Sequence, residues 1–272
     1  MKPELQRRVQ RYGWDKAALY YESAWKQQLK PAHDRMLELA NLQRGEKVLE
    51  TACGTGLVVF RAAPPVAPDG EVMGTDISDT MVQTATETAK QLDIRNVRFK
   101  QMDAEQLKFE DATFDAALSG LGLMYMPDPV RALQEKYRVL KPGGRVAVAI
   151  WGERKKCGWS EIFPIVDKRV ASDVCPMFFQ QGTGNTLNMS LEQAGFANIT
   201  TERFDTTLRF DSDEHIITAA FSGGPVALAY DKFDEQTKEE AHAEYLESVA
   251  AYRNGSAYDI PGEFVVAVGY KQ

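Results

Sequence analysis

Nine consecutive residues, Val48-Leu49-Glu50-Thr51-Ala52-Cys53-Gly54-Thr55-Gly56, read as an apolar strand running into a glycine turn. Glycine has no Cβ and tolerates positive φ, so a ligand can approach the backbone closely at the carboxyl end of such a strand. A second apolar stretch, Val72-Met73-Gly74-Thr75, ends in Asp76, 20 residues after Gly56. An acidic side chain at that distance can accept hydrogen bonds from ribose hydroxyls. A third stretch, Asn96 to about Met102, leaves Asp103 at its carboxyl tip, where open α/β sheets bind ligands. The chemistry expected of these residues is the holding of a cofactor.

A dinucleotide is the first cofactor to test. Its phosphate fingerprint, G-x-G-x-x-G, needs a third glycine for close packing of helix on strand. Here Gly54 and Gly56 are followed by Leu57, Val58 and Val59, and no G-x-x-x-x-G-K-[ST] phosphate loop occurs. A nicotinamide-dependent oxidoreductase is thus an alternative that the missing glycine opposes. Further ordered segments follow: Gln101-Met102-Asp103-Ala104-Glu105, Phe114-Asp115-Ala116-Ala117-Leu118-Ser119 and Leu140-Lys141-Pro142-Gly143-Gly144-Arg145.

With these four matches, over roughly residues 45–151, the chain resembles the class I S-adenosylmethionine-dependent methyltransferases. It looks most similar to the branch that methylates ubiquinone and menaquinone precursors. One departure is visible, Ala52 where that superfamily commonly has a glycine, and it should tighten the turn. The resemblance implies a Rossmann-like α/β fold with a mostly parallel seven-stranded sheet, its last strands antiparallel, and helical additions. It implies S-adenosyl-L-methionine held by Glu50, Ala52, Gly54, Gly56, Asp76, Ile77, Met81, Asp103, Ala104 and Ser119. Asp76 would take the ribose hydroxyls and Asp103 the adenine amino group. Met81 is either an adenine neighbour or a core contact. Tyr20, Tyr21 and Tyr125 are the candidate contacts to an acceptor.

The implied reaction is in-line attack of a small organic acceptor on the sulfonium methyl, at oxygen, nitrogen or carbon. The leaving group is already excellent, so the enzyme supplies mainly proximity and alignment. His33, His215 and His242 fit surface or packing roles better than a base, and neither a triad spacing nor a metal-ligand cluster is evident. A non-catalytic adenosylmethionine-binding module is a further alternative, favoured if the acid pair lies in a sealed site.

The elements that must position these residues follow from pattern. The 272 residues read as a single domain. Lys+Arg 32 against Asp+Glu 39 gives a net charge of -7, which repels polyphosphate and argues against a nucleic-acid partner. Three cysteines, Cys53, Cys157 and Cys175, show no C-x-x-C spacing, which suits a reducing cytoplasm. No apolar run approaches the roughly 18 residues of a membrane helix.

Residues 1–30, with Tyr12, Trp14, Tyr20, Tyr21 and Trp25 among charged neighbours, form either a packed helix or a lid over the cofactor. Pro31 is expected to open a helix to about Leu42, and Pro64-Pro65 to stop the helix after Gly56. Ser78 and Asp128 are expected N-caps. Segments 152–185 and 211–253 are expected to cap a substrate pocket.

Overall fold

The computed structural model describes residues 2–170 and 177–272. Cys175, and with it part of the 152–185 segment, lies outside the described residues.

The amino-terminal region is one 38-residue helix, α1 (Pro3–Ala40), and Pro31 lies inside it instead of opening a new one. Proline removes the bond to the carbonyl four residues back. That residue, Gln27, is exposed, so water can take the carbonyl. Leu29, Ala32, His33 and Met36 are buried around the proline and carry the helix through.

Strands then alternate with helices: β1 (Lys47–Thr51), α2 (Val59–Val66), β2 (Glu71–Asp76), α3 (Asp79–Gln91), β3 (Val97–Gln101), β4 (Phe114–Gly120), α4 (Pro129–Val139) and β5 (Leu140–Trp151). The five strands pair in parallel in the order β3-β2-β1-β4-β5. Crossover connections between them bring the chain back to the same end of the sheet. Pro64 and Pro65 fall within α2 and do not stop it. Both lie in its last turn, and the Val66 carbonyl that closes the helix accepts N–H bonds from Gly45 and Gly70, each at 2.9 Å. Ser78 caps α3 and Asp128 caps α4, accepting N–H bonds from Met81 and Arg131 as their spacing foretold.

After β5 come α5 (Ile162–Asp167), α6 (Thr186–Gln193), β6 (Ala197–Phe210), α7 (Asp213–Ile217), a π-helical turn (Thr218–Ser222), α8 (Ala227–Tyr230), α9 (Glu235–Ser248), β7 (Arg253–Asn254) and β8 (Ala257–Tyr270). β8 lies between β5 and β6 and runs antiparallel to both. The expected seven strands are joined by an eighth, β7, a two-residue strand paired to β8 and too short to show a period. Residues 262–269 of β8 are buried without interruption, as an inner strand covered on both faces requires, whereas β6 alternates and forms the edge.

Candidate active site

Strand order reverses between β1 and β4, and a crevice opens at the carboxyl ends of the sheet there. The crevice holds a cavity of about 980 Å³ with its open mouth included, at the place in an open α/β sheet where ligands bind. Its walls follow the sheet edge. Asp103 and Ala104 come after β3, Asp76 and Ile77 from the tip of β2, Ala52 and Gly54 after β1, Gly120 to Gly122 from the end of β4, and Trp151 ends β5. The roof is α1, through Arg7, Gln10, Trp14, Tyr21, Trp25 and Leu29. Their spacings of 3, 4, 7, 4 and 4 keep them on one helix face.

Asp76 is buried at the tip of β2, accepting the Gly54 N–H at 2.8 Å and the Ser78 N–H at 2.9 Å on its two oxygens. Burial, only partly offset by those donors, raises its pKa to about 6. Each oxygen retains acceptor capacity for a further partner. Asp103 accepts the Glu105 N–H at 2.9 Å and lies 3.0 Å from Arg7 Nε. Met81 is held beside this site by the α3 cap, and the cap hydroxyl of Ser78 donates to Asp15 of α1 at 2.6 Å.

Nine expected residues meet here: Tyr21, Ala52, Gly54, Asp76, Ile77, Met81, Asp103, Ala104 and Tyr125. Glu50, Gly56, Ser119 and Tyr20 do not line the cavity. Glu50 lies buried behind the loop, facing the backbone N–H groups of Val59 and Gly120, and burial followed by the Asp76 charge pushes its carboxyl well above the usual range. Gly56 serves the turn itself: its φ is 92°, and a Cβ would come within 2.7 Å of the Phe60 ring. Ser119 is fully buried in β4. Tyr20, one residue from Tyr21 and hence about 100° around the helix, is 42% exposed and points away.

The three histidines are packing residues. His33 is buried against Gly120, its pKa lowered to about 3 by burial and by the Arg61 charge. His215 lies 3.3 Å from the Ala24 carbonyl, and His242 pairs with the Tyr230 hydroxyl at 2.9 Å. Among the described residues no helix is long and apolar enough to cross a membrane, and no group of three or more His, Cys, Asp or Glu could hold a metal ion.

Arg7, Gln10, Leu29 and Trp151 also line the cavity and were not among the expected contacts. Trp25 comes from the aromatic stretch read as packed helix or lid, and Trp159 and Gly223-Gly224-Pro225 come from the two segments expected to cap a substrate pocket. The α1 members carry a signal in their helical spacing. The others are brought in by tertiary structure.

A doubly wound sheet with paired carboxylates and a glycine turn at its switch point defines a Rossmann-like cofactor domain of the methyltransferase type. A family model described as a methyltransferase domain matches residues 42–163. The chain is 33% identical over 184 residues to a demethylmenaquinone methyltransferase of Staphylococcus aureus, across 62% of this chain and 76% of that protein. To the Listeria welshimeri protein of the same name it is 33% identical over 153 residues, 50% of this chain, and it spans 65% of that relative's length. A Haemonchus contortus phosphoethanolamine N-methyltransferase 2 in complex with S-adenosylhomocysteine shares the fold. It superposes with a TM-score of 0.62 at 19% identity, covering 95% of this chain and 58% of that one. The chain belongs to the class I S-adenosylmethionine-dependent methyltransferases.

Proposed function

We propose that the chain transfers a methyl group from S-adenosylmethionine to a small, largely apolar organic acceptor. The carrying observation is the partition of charge along one cavity. Its charged lining side chains, Arg7, Asp76, Asp103 and Glu105, all cluster at the β2 and β3 end. Toward β5 the lining is Trp25, Leu29, Trp151 and Trp159, and the three indoles pack with centroids 4.9 to 6.1 Å apart.

The charged end fits the cofactor. Asp76 offers acceptors to a vicinal diol, Asp103 offers one to an amino group, and Ile77 and Met81 give an apolar wall for a flat base. The Tyr21 ring of α1 lies over Gly54, 3.5 Å from where a Cβ would stand, so the roof helix meets the turn at this end of the cavity. Glu50, Gly56 and Ser119 would act from behind, by shaping the loop. When bound, the cofactor supplies an activated methyl group. The chain supplies alignment, which can contribute roughly 7–11 kcal/mol.

Among the described lining residues, the apolar end carries no group that takes a proton near neutrality; the nearby Tyr21 hydroxyl is pushed up by burial, then by Glu50 and Asp76. The acceptor's own acidity should therefore set the pH dependence of turnover. Relatives named as demethylmenaquinone methyltransferases make quinone-type rings the first acceptors to try, and a flat ring suits the indole wall. An acceptor-sized apolar region beside the acid pair favours an enzyme over a binding module. The two described cysteines, Cys53 and Cys157, are free and buried, in keeping with a cytoplasmic setting.

The test is calorimetry with adenosylhomocysteine and with NAD, followed by a mass-spectrometric screen of quinols, phenols and amines with adenosylmethionine. Saturable binding of adenosylhomocysteine and acceptor-dependent release of it are expected. Binding of NAD alone would refute the reading.

A further inference from the structure

Arg7 lies on the cavity face of α1 with its side chain 26% exposed. Its Nε is 3.0 Å from Asp103 Oδ2 and its Nη2 meets Glu105, whose side chain is only 3% exposed. Glu105 Oε1 in turn accepts the Asp128 N–H at 3.1 Å, and Asp128 is the cap of α4. One guanidinium thus ties the outer end of α1 to the loop after β3 and, through Glu105, to the loop before α4. Both loops bound the charged end of the cavity. Without Arg7, the nearly dry Glu105 carboxylate would lose its counter-charge, which is costly in such surroundings.

The rest of α1 cannot act as the moving part. From Ala24 onward its cavity side is packed into the core through Trp25, Leu29, Ala32 and Met36. The end that can lift is the one that carries Arg7. Its other ties include Asp15, which accepts from Ser78 Oγ at 2.6 Å and from the Thr80 N–H at 3.3 Å, the edge-on contact of Trp14 with Tyr125 at 5.0 Å, and Lys16 Nζ, 2.9 Å from Asp231. The Lys16–Asp231 pair also joins opposite charges, but both of its side chains are 52% exposed and it holds little in water. Arg7 meets a carboxylate that is 3% exposed, so the Arg7 pairs carry the larger share of the salt effect.

We propose that Arg7 is a positioning residue that clasps α1 shut over the adenosine end of the site, and that breaking its pairs with Asp103 and Glu105 gates cofactor exchange. The inference rests on the cofactor reading above. Asp103 then has three partners: Oδ2 faces Arg7, Oδ1 accepts the Glu105 N–H, and the remaining acceptor capacity meets the adenine amino group. Each interaction fixes the carboxylate for the others, so closure and cofactor binding reinforce one another.

The test is stopped-flow release of adenosylhomocysteine from wild type, R7Q, R7K, E105Q and the R7Q/E105Q pair, between about 50 mM and about 500 mM salt. R7Q should release the ligand about fivefold faster at low salt, R7K should recover part of the loss, and wild-type release should accelerate with salt much more steeply than release from R7Q. The double variant should release no faster than R7Q alone, because both changes break one interaction. E105Q keeps the acceptor for Asp128 and reads the same contact if R7Q does not fold. Unchanged release in R7Q and E105Q, or a salt dependence as steep in R7Q as in wild type, overturns the clasp and leaves the cofactor assignment standing. Absence of adenosylhomocysteine binding by wild type overturns both.

Discussion

At the scale of single residues, the site depends on a match between Ala52 and Gly122. Ala52 has φ 53°, in the left-handed region, where a side chain costs energy. A Cβ on Gly122 would sit 2.4 Å from the Ala52 Cβ, so the methyl group on one loop is accommodated by its absence on the other. Gly122→Ala should force the loops after β1 and β4 apart and weaken adenosylhomocysteine binding at least about tenfold, roughly 1.4 kcal/mol. Ala52→Gly should be tolerated alone and should restore much of the loss in the double variant. Calorimetry decides it: Gly122→Ala with wild-type affinity, or with a loss that Ala52→Gly leaves untouched, would break the match. The carboxylates of this site were legible in sequence because a strand end followed by an acid is a local pattern. The places of Glu50 and Gly56 were not, since strand spacing does not say whether a side chain points into the crevice or behind the turn.

At the scale of elements, α1 is both roof and core, and the boundary between these roles differs from the one composition suggested. Aromatic content left residues 1–30 as either a packed helix or a lid, whereas the buried series from Ala24 to Ala40 anchors the later half and the cavity lining begins at Arg7. Hydrogen exchange on the ligand-free protein should therefore be fast over residues 3–23 and slow over 24–40, and adenosylhomocysteine should protect the first stretch alone. Equal protection of residues 3–23 with and without ligand would make the whole helix permanent core. The Arg7 to Leu29 spacing was present in the sequence, but Pro31 and the aromatics split the helix into two apparent segments. The inner part of β8 is legible as the apolar run Phe264-Val265-Val266-Ala267-Val268, and the 14-residue strands β6 and β8 extend well beyond what such a run marks. Their pairing order was not legible, because adjacency between distant strands leaves no local trace.

At the scale of the whole molecule, the acceptor end is assembled from α1, β5, the segment after β5 and the Gly223-Gly224-Pro225 turn, so no single stretch of sequence announces it. The same assembly buries groups that have no part in the site. Lys136 of α4 is fully buried, its Nζ has no hydrogen-bond partner, and burial lowers its pKa from the usual 10.5 to about 7. Because the folded value lies below the unfolded one, the unfolded chain binds more protons between about pH 7 and pH 10.5, and stability conferred at this position rises with pH across that window. The penalty is complete below it and gone above it. Lys136→Met keeps the apolar stem and removes the charge, so it should stabilise the protein by roughly 2–5 kcal/mol at pH 7, an advantage shrinking toward zero near pH 10.5. Contributions from other titrating groups, such as the neutral buried His33, cancel in the comparison of the two proteins. Denaturant titrations of both at several pH values supply the measurement. A Met variant no more stable than wild type at pH 7, or an advantage constant with pH, would show that Lys136 finds its compensation in the fold.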